Sequence, residues 1–375
     1  MSFHSSLLGW VAVVCLGLGL DARAASQDSV AAKLDAHLRS IVDKEGFRGA
    51  VLVAKDGKVL HSAAYGLADE DGKRPNTPSS QFLIGSLTKS FTAVTVMQLV
   101  EDGTLDLNVP LSRYLPKLRA DLGKRLTLHL LLKQRSGLPD HLDALIEHES
   151  EKDVSSGEIL RLINKSQLSF KPGAKFEYSN LNYHLAALVL EAVTGKTFAQ
   201  VLQEKTFTPL SMAGSGVERG TNVPPRRSFG YAKGLLGVSR DENNVSYALG
   251  SGDIYSTVED LYAWDQALFG SGLVSAESQK RLFEGGSREE GYYGYGFRIQ
   301  PYLRGPGVKE RGVLVRHGGT MDGFMSNLHH YREDRVTVIV LGNVRPFPIR
   351  ELTFELKEIA LGLAPTARSR KEVDE

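Results

Sequence analysis

Apolar residues recur at three- and four-residue steps near the start of the folded region, where Leu34, Leu38, Ile41 and Val42 share one face. This predicts an amphipathic helix over Val30 to Glu45. The period then falls to two. Ala50 to Lys55 and Lys58 to Tyr65 read as strands joined at Asp56-Gly57, a hairpin signal because glycine tolerates the positive φ of the tight turn. Between Phe91 and Ile254 the pattern is mainly helical: Phe91 to Glu101 ended by Gly103, Thr127 to Lys133, Ser156 to Asn164, Tyr183 to Val193 ended by Gly195, and Phe198 to Glu204. Strands return at Tyr295 to Gln300, Val313 to His317, Phe324 to Tyr331 and Arg335 to Leu341, and a helix closes over Ile349 to Leu363. The mixed charges of Arg368 to Glu375 read as a solvated, disordered tail, placed with the segment 366–375.

Strands at both ends with helices between them predict an α/β protein of the α+β type. The sheet, mainly antiparallel and flanked by helices, is drawn from about 46–66 and 293–343, and a helical subdomain is inserted at about 91–250 of one domain spanning 25–365. A cleft between two such parts is a natural place for a site.

The first residues follow another rule. Leu7 to Leu20 is one apolar run, too short for the ~20 residues of a membrane-spanning helix, and Ala22-Arg23-Ala24 supplies the small-x-small pattern of a signal-peptidase site. Cleavage near Ala24 (signal 1–24) and an exported, periplasmic or secreted protein without a stable membrane anchor are expected; an uncleaved anchor is the competing reading. Cys15, the single cysteine, lies inside that run. A chain without thiols suits an oxidising compartment and has no cysteine for a nucleophile, disulfide or metal site. With 45 Lys and Arg against 44 Asp and Glu, net charge is +1, so no strong field draws nucleic acid. Expected partners are small molecules or peptides, with a cell-wall origin open; no cofactor and no metal are expected. His329-His330 invites a metal, but successive strand residues point to opposite faces.

Chemistry concentrates in three places. In Ile84-Gly85-Ser86-Leu87-Thr88-Lys89, a three-residue spacing puts Ser86 and Lys89 on one helical face, where a neutral lysine can take the serine proton. Moving a lysine from about 10.4 to about 7 requires ~4.6 kcal/mol of differential interaction, which burial or a second cation can supply. Taken alone, the pair is equally an N-cap serine and an exposed first-turn lysine. In Phe176-Glu177-Tyr178-Ser179-Asn180, the Tyr178 phenol can relay a proton and Asn180 can bind a substrate amide; a core tyrosine followed by a cap is the plain alternative. In Val315-Arg316-His317-Gly318-Gly319-Thr320, a strand meets a glycine pair that admits substrate to the backbone. There the Thr320 N–H would oppose that of Ser86 as an oxyanion donor, and His317 would reach toward the cluster.

In this order the three motifs resemble the serine β-lactamase and penicillin-binding superfamily, in the class C β-lactamase-like branch with DD-peptidases, D-aminopeptidases and β-lactamase-like esterases. Supporting marks are Glu101-Asp102-Gly103-Thr104-Leu105 with Leu107, Leu131 to Leu138, and Gly250-Ser251-Gly252-Asp253 before a helix. The resemblance implies a β-lactamase/transpeptidase-like fold, with Ser86 acylated, Lys89 as base, Tyr178 as relay, and Asn180, His317, Gly318, Gly319 and Thr320 binding substrate. Two departures stand out. His317-Gly318 replaces the Lys-Thr of class C β-lactamases, removing a fixed cation and a hydroxyl, and Gln134-Arg135 stands where relatives commonly carry His-Thr. Arg135 is read as a surface or cap residue rather than an anion binder. The expected activity is a serine hydrolase on ester, amide or lactam substrates, esterase or D-amino-acid peptidase foremost; a catalytically silent cell-wall sensor is the alternative.

Overall fold

The computed structural model describes residues 29–140, 153–220, 223–235, 237–241, 244–270, 272–305 and 307–366. The expected signal segment lies outside them, as does the charged tail apart from Thr366, whose N–H and hydroxyl donate to the Glu358 carboxylate.

A helix over 29–45 (α1) leads into β1 (Gly49–Lys55) and β2 (Lys58–Tyr65), with Asp56 at φ 53° and Gly57 at φ 74° forming the tight turn. The nucleophile motif then enters helix α2 (Thr88–Glu101). Helix α3 (Asn180–Thr194) and helix α4 (Val258–Phe269) follow. Strands β3 (Arg298–Leu303), β4 (Arg311–Met321), β5 (Phe324–Tyr331) and β6 (Val336–Gly342) precede the closing helix α5 (Ile349–Ala360).

One six-stranded antiparallel sheet takes the order β3-β4-β5-β6-β1-β2. Its β6–β1 pair, with Val51 opposite Val340 and Leu52 opposite Ile339, joins residues far apart in sequence. Alternation gives both faces of β1 an apolar surface. Ala50, Leu52 and Ala54 pack with α2, α3 and α4, whereas Val51 and Val53 pack with Leu34, Leu38, Leu352 and Leu356 of α1 and α5. The terminal helices therefore cover one face and the inserted part covers the other.

Two differences from the sequence pattern have local causes. The first strand after the insert begins at Arg298 rather than Tyr295, because Gly294 and Gly296 put a turn there: Gly296 has φ 75°, and a Cβ on it would fall 2.6 Å from the Lys89 carbonyl. The insert is also not all helical. Gly230–Gly234 and Gly237–Asp241 form a hairpin whose first strand runs parallel to Val344–Arg345, and Gly216–Val217 pairs with Ile254–Ser256. These pieces are too short and glycine-rich to carry a periodic signal. No single described helix is long and apolar enough to cross a membrane.

Candidate active site

Ser86 sits in a 3₁₀ turn, Gly85–Leu87, that opens α2. Gly85 is required there on two counts: its φ is 52°, and a Cβ would lie 2.7 Å from the Thr320 backbone nitrogen. The opposite wall is equally close. A Cβ on Gly319 would fall 1.9 Å from the Ile84 carbonyl, which also accepts a 2.7 Å hydrogen bond from Ser326 Oγ. Strand β4 thus lies directly on the nucleophile turn, and the backbones of Ser86 and Thr320 face one cleft.

Helix α2 is buried on nearly every side, so Lys89, in its first turn and one turn on from Ser86, has no exposed surface. Its Nζ lies 3.0 Å from Ser86 Oγ, 2.6 Å from Asn180 Oδ1 and 2.8 Å from the Ser251 carbonyl. Burial pushes its pKa down to about 7, against the opposing pull of the Asp140 and Asp253 carboxylates. A neutral amine has two N–H donors and one lone pair. The two carbonyl oxygens occupy both donors, so the lone pair faces the Ser86 hydroxyl. The aromatic faces of Tyr178 and Tyr183, at 5.0 and 5.8 Å, line the same chamber.

The second motif is the N-terminus of α3, which begins at Asn180 rather than near Tyr183. Ser179 caps it, its hydroxyl accepting from Leu181 N–H and donating to the Pro139 carbonyl. Asn180 is held from outside by Asp140, which accepts from its backbone N–H at 3.3 Å and its side-chain amide at 2.9 Å. Because the amide nitrogen faces Asp140, its oxygen faces Lys89. Tyr178 is half-buried, with its phenol against Ser86; desolvation holds that phenol well above its ordinary pKa, and the contact with Ser86 opposes the shift.

Gln134 explains one departure noted in the sequence. Fully buried at φ 58°, its side-chain oxygen accepts from Ser179 N–H at 3.0 Å and from the Asn182 amide, and its carbonyl accepts from Glu177 N–H. It thereby sets the path of the Tyr178 loop, a role its isolated sequence position does not announce. Arg135 pairs with Glu290 at 3.0 Å and donates to the Gly173 carbonyl at 2.7 Å, a structural use.

His317 is buried, but its bonds go sideways. Nδ1 lies 2.6 Å from the Gly318 carbonyl and Nε2 lies 3.3 Å from the Tyr293 hydroxyl. Burial, then the charge of Lys89, keeps its pKa well below the ordinary value, so the ring is neutral at working pH. Tyr293 stands edge-on between Tyr178 and His317, with ring centroids 5.9 Å from each, and is a residue the sequence did not single out.

Two cavities meet at Ser86 and Thr320. One, about 420 Å³, is lined by Asp140, Asn180, Asp322 and Arg345; the other, about 400 Å³, by Tyr178, Arg298, Arg316, His317 and Arg350. The nucleophile therefore sits at the junction of an arm with two carboxylates and one guanidinium and an arm with three guanidinium groups. Away from the cleft, His330 bonds Asp265 while His329 bonds Tyr331, so the adjacent histidines do diverge. No group of three His, Cys, Asp or Glu side chains suited to a metal occurs among the described residues.

Comparison with known proteins places this geometry. The family model described as "Beta-lactamase" matches residues 34–361. A putative penicillin-binding protein PbpX of Bacillus subtilis is 28% identical over 82% of this chain and 72% of its own length. A D-aminopeptidase of Gluconobacter oxydans is 29% identical over 84% of this chain and 59% of its own length. Among solved structures, D-amino acid amidase from Ochrobactrum anthropi SV3, complexed with L-phenylalanine amide, superposes with a TM-score of 0.75 at 26% identity. It covers 88% of this chain and 99% of its own.

Proposed function

The chain belongs to the β-lactamase family, and from that premise we propose that it is a serine hydrolase working through an acyl-enzyme on Ser86. The observation that carries this is the saturation of Lys89: both N–H groups of its neutral form are taken by Asn180 Oδ1 and the Ser251 carbonyl, leaving the lone pair toward Ser86 Oγ. Lys89 Nζ takes the hydroxyl proton as Oγ attacks the substrate carbonyl carbon. The carbonyl oxygen gathers the negative charge and is held by the backbone N–H groups of Ser86 and Thr320. When the intermediate collapses, the leaving group departs with the proton, passed through the Tyr178 phenol beside Ser86. Water then repeats the sequence on the acyl-enzyme, returning the proton to Ser86.

The substrate proposed is a small ester or amide, D-amino-acid amides and short D-peptides foremost. Two arms of similar size meet at Ser86; the one with three arginines suits a polar or negative group, while in the other Arg345 faces Asp322 and Asp140 is bonded to Asn180. The relatives named D-aminopeptidase and D-amino acid amidase support that choice. A neutral His317 where class C enzymes carry lysine argues against β-lactams as the preferred substrate. Export, with removal of the first 24 residues, is proposed alongside.

The test is a panel of p-nitrophenyl butyrate, D-phenylalanine amide, a D-Ala-D-Ala peptide and nitrocefin, with mass mapping of a fluorophosphonate adduct. The adduct should sit on Ser86, and Ser86→Ala should abolish both labelling and turnover. Equal hydrolysis by the wild type and Ser86→Ala would show that the nucleophile lies elsewhere.

A further inference from the structure

Behind Lys89 runs the loop Gly250–Asp253, pinned to α2 at both ends. Thr92 Oγ1 donates to the Gly250 carbonyl at 2.6 Å, and Ile254 N–H donates to Thr88 Oγ1 at 3.2 Å. Between these pins the Ser251 carbonyl accepts from Lys89, and Ser251 Oγ lies 2.8 Å from His184 Nε2. The loop ends on Asp253, a carboxylate with no exposed surface. One of its oxygens accepts from Gly250 N–H at 3.0 Å; the other has no hydrogen-bond partner among the described residues.

A buried carboxylate with half of its acceptors unused is costly. Nothing in the proposed reaction touches it, so its presence calls for a role. Its field acts on Lys89, in the direction that favours the ammonium form.

We propose that Asp253 is a positioning residue that holds the Ser251 carbonyl against Lys89 and supplies the buried negative charge opposing deprotonation of that lysine. The proposal rests on Lys89 acting as the base for Ser86. The other groups around the pair are accounted for. His184, from α3, is driven down to about 3 by burial and is neutral; the Tyr178 and Tyr183 phenols are held well above their ordinary range; His317 is neutral. Asp140 adds negative charge from the far side of Asn180. Arg219 and, more weakly, Glu191 act on Asp253 itself, whose own pKa burial raises to about 7. Lysine and aspartate thus titrate in one pH range, and the two protonations are coupled. The carboxylate keeps a fully buried amine basic enough to accept the serine proton, while burial keeps it free of that proton near neutrality.

Asp253→Asn tests this, because its amide oxygen can still accept from Gly250 N–H while the charge is gone. Fluorophosphonate labelling of Ser86 isolates the acylation step. Its acid limb should move to lower pH, because the negative charge that favours the ammonium form of Lys89 is gone. A limb unmoved in a folded variant overturns the proposal and leaves Asp253 a structural residue. Absence of wild-type labelling would instead sink the acyl-enzyme reading. A second measurement needs neither turnover nor the Asp253 variant: in protein labelled with [¹³C]aspartate, the Asp253 carboxyl should titrate near neutral pH, and Lys89→Met should move that titration upward as the cation is lost. An identical titration in both proteins overturns the proposal as well.

Discussion

Replacing Lys89 by methionine should make folding stability respond to pH in a way that can be worked from the structure. In the unfolded chain the lysine binds its proton below its ordinary 10.5, and in the fold only below about 7. Between those values the unfolded state carries more protons, so wild-type stability rises with pH. At pH 7 the penalty for hosting this lysine is about 4 kcal/mol relative to a group with unshifted pKa. Lys89→Met removes the penalty but strands Asn180 Oδ1 and the Ser251 carbonyl, at about 1–3 kcal/mol each. The sign of the difference at one pH is therefore a close balance, whereas its slope is not. From pH 7.5 to 9.0 the wild type should gain about 2 kcal/mol on Lys89→Met. Asp253 adds to the same trend, because without the cation it holds its proton to higher pH and penalises the variant as pH rises. Urea unfolding of both proteins at pH 7.5, 8.25 and 9.0 reads the gap directly. A gap constant to within about 0.5 kcal/mol would mean that Lys89 is charged in the fold, and the base assignment would be wrong.

Catalytic rate should follow the same group: kcat/KM for p-nitrophenyl butyrate should rise with pH through about 7 as Lys89 loses its proton. His317→Gln should leave that midpoint in place, because the imidazole is neutral throughout; a midpoint that moved by a full unit would assign the titration to His317. Tyr178→Phe should lower kcat by about 10²–10⁴ while Ser86 remains labelled by fluorophosphonate, and unchanged kcat would remove the phenol from the proton path. Glu218→Gln should destabilise by about 3–5 kcal/mol in thermal unfolding, since the Arg227 guanidinium is held on that carboxylate at 2.8 and 2.9 Å with both side chains buried.

Much of the fold was legible because its signals are local. The Asp56-Gly57 turn, the short apolar or alternating runs of β1, β2, β5 and β6, and the amphipathic α1 and α5 each carry a signal within their own residues. The hairpin Gly230–Gly234 with Gly237–Asp241 was not legible, because its partner Val344–Arg345 is more than a hundred residues away. The candidate site divides in the same way. Ser86 and Lys89 are joined by helical spacing, and the chamber shows them in contact. Gln134, Asp140 and Tyr293 act through long-range bonds, to the Tyr178 loop, to Asn180 and to His317, and Asp253 is brought behind Lys89 by the packing of its loop on α2; a single sequence holds no spacing rule for those. His317 was expected to point into the cluster and is turned toward Tyr293, a choice made by packing.

The sheet's β6–β1 seam has a consequence for biosynthesis. Gly49 pairs with Gly342, so the strand that seats β1 leaves the ribosome almost three hundred residues after it. Until then β1 has β2 alone on one side, and a two-stranded hairpin is marginal in water. Strand β4, whose Gly319 and Thr320 press on Ile84 and Gly85, arrives equally late. A growing chain therefore carries Ser86 and Lys89 long before it has a chamber to bury the lysine. Through most of synthesis that lysine is solvated, charged and inert, and its reactivity begins only when the chain's last fifth closes the sheet.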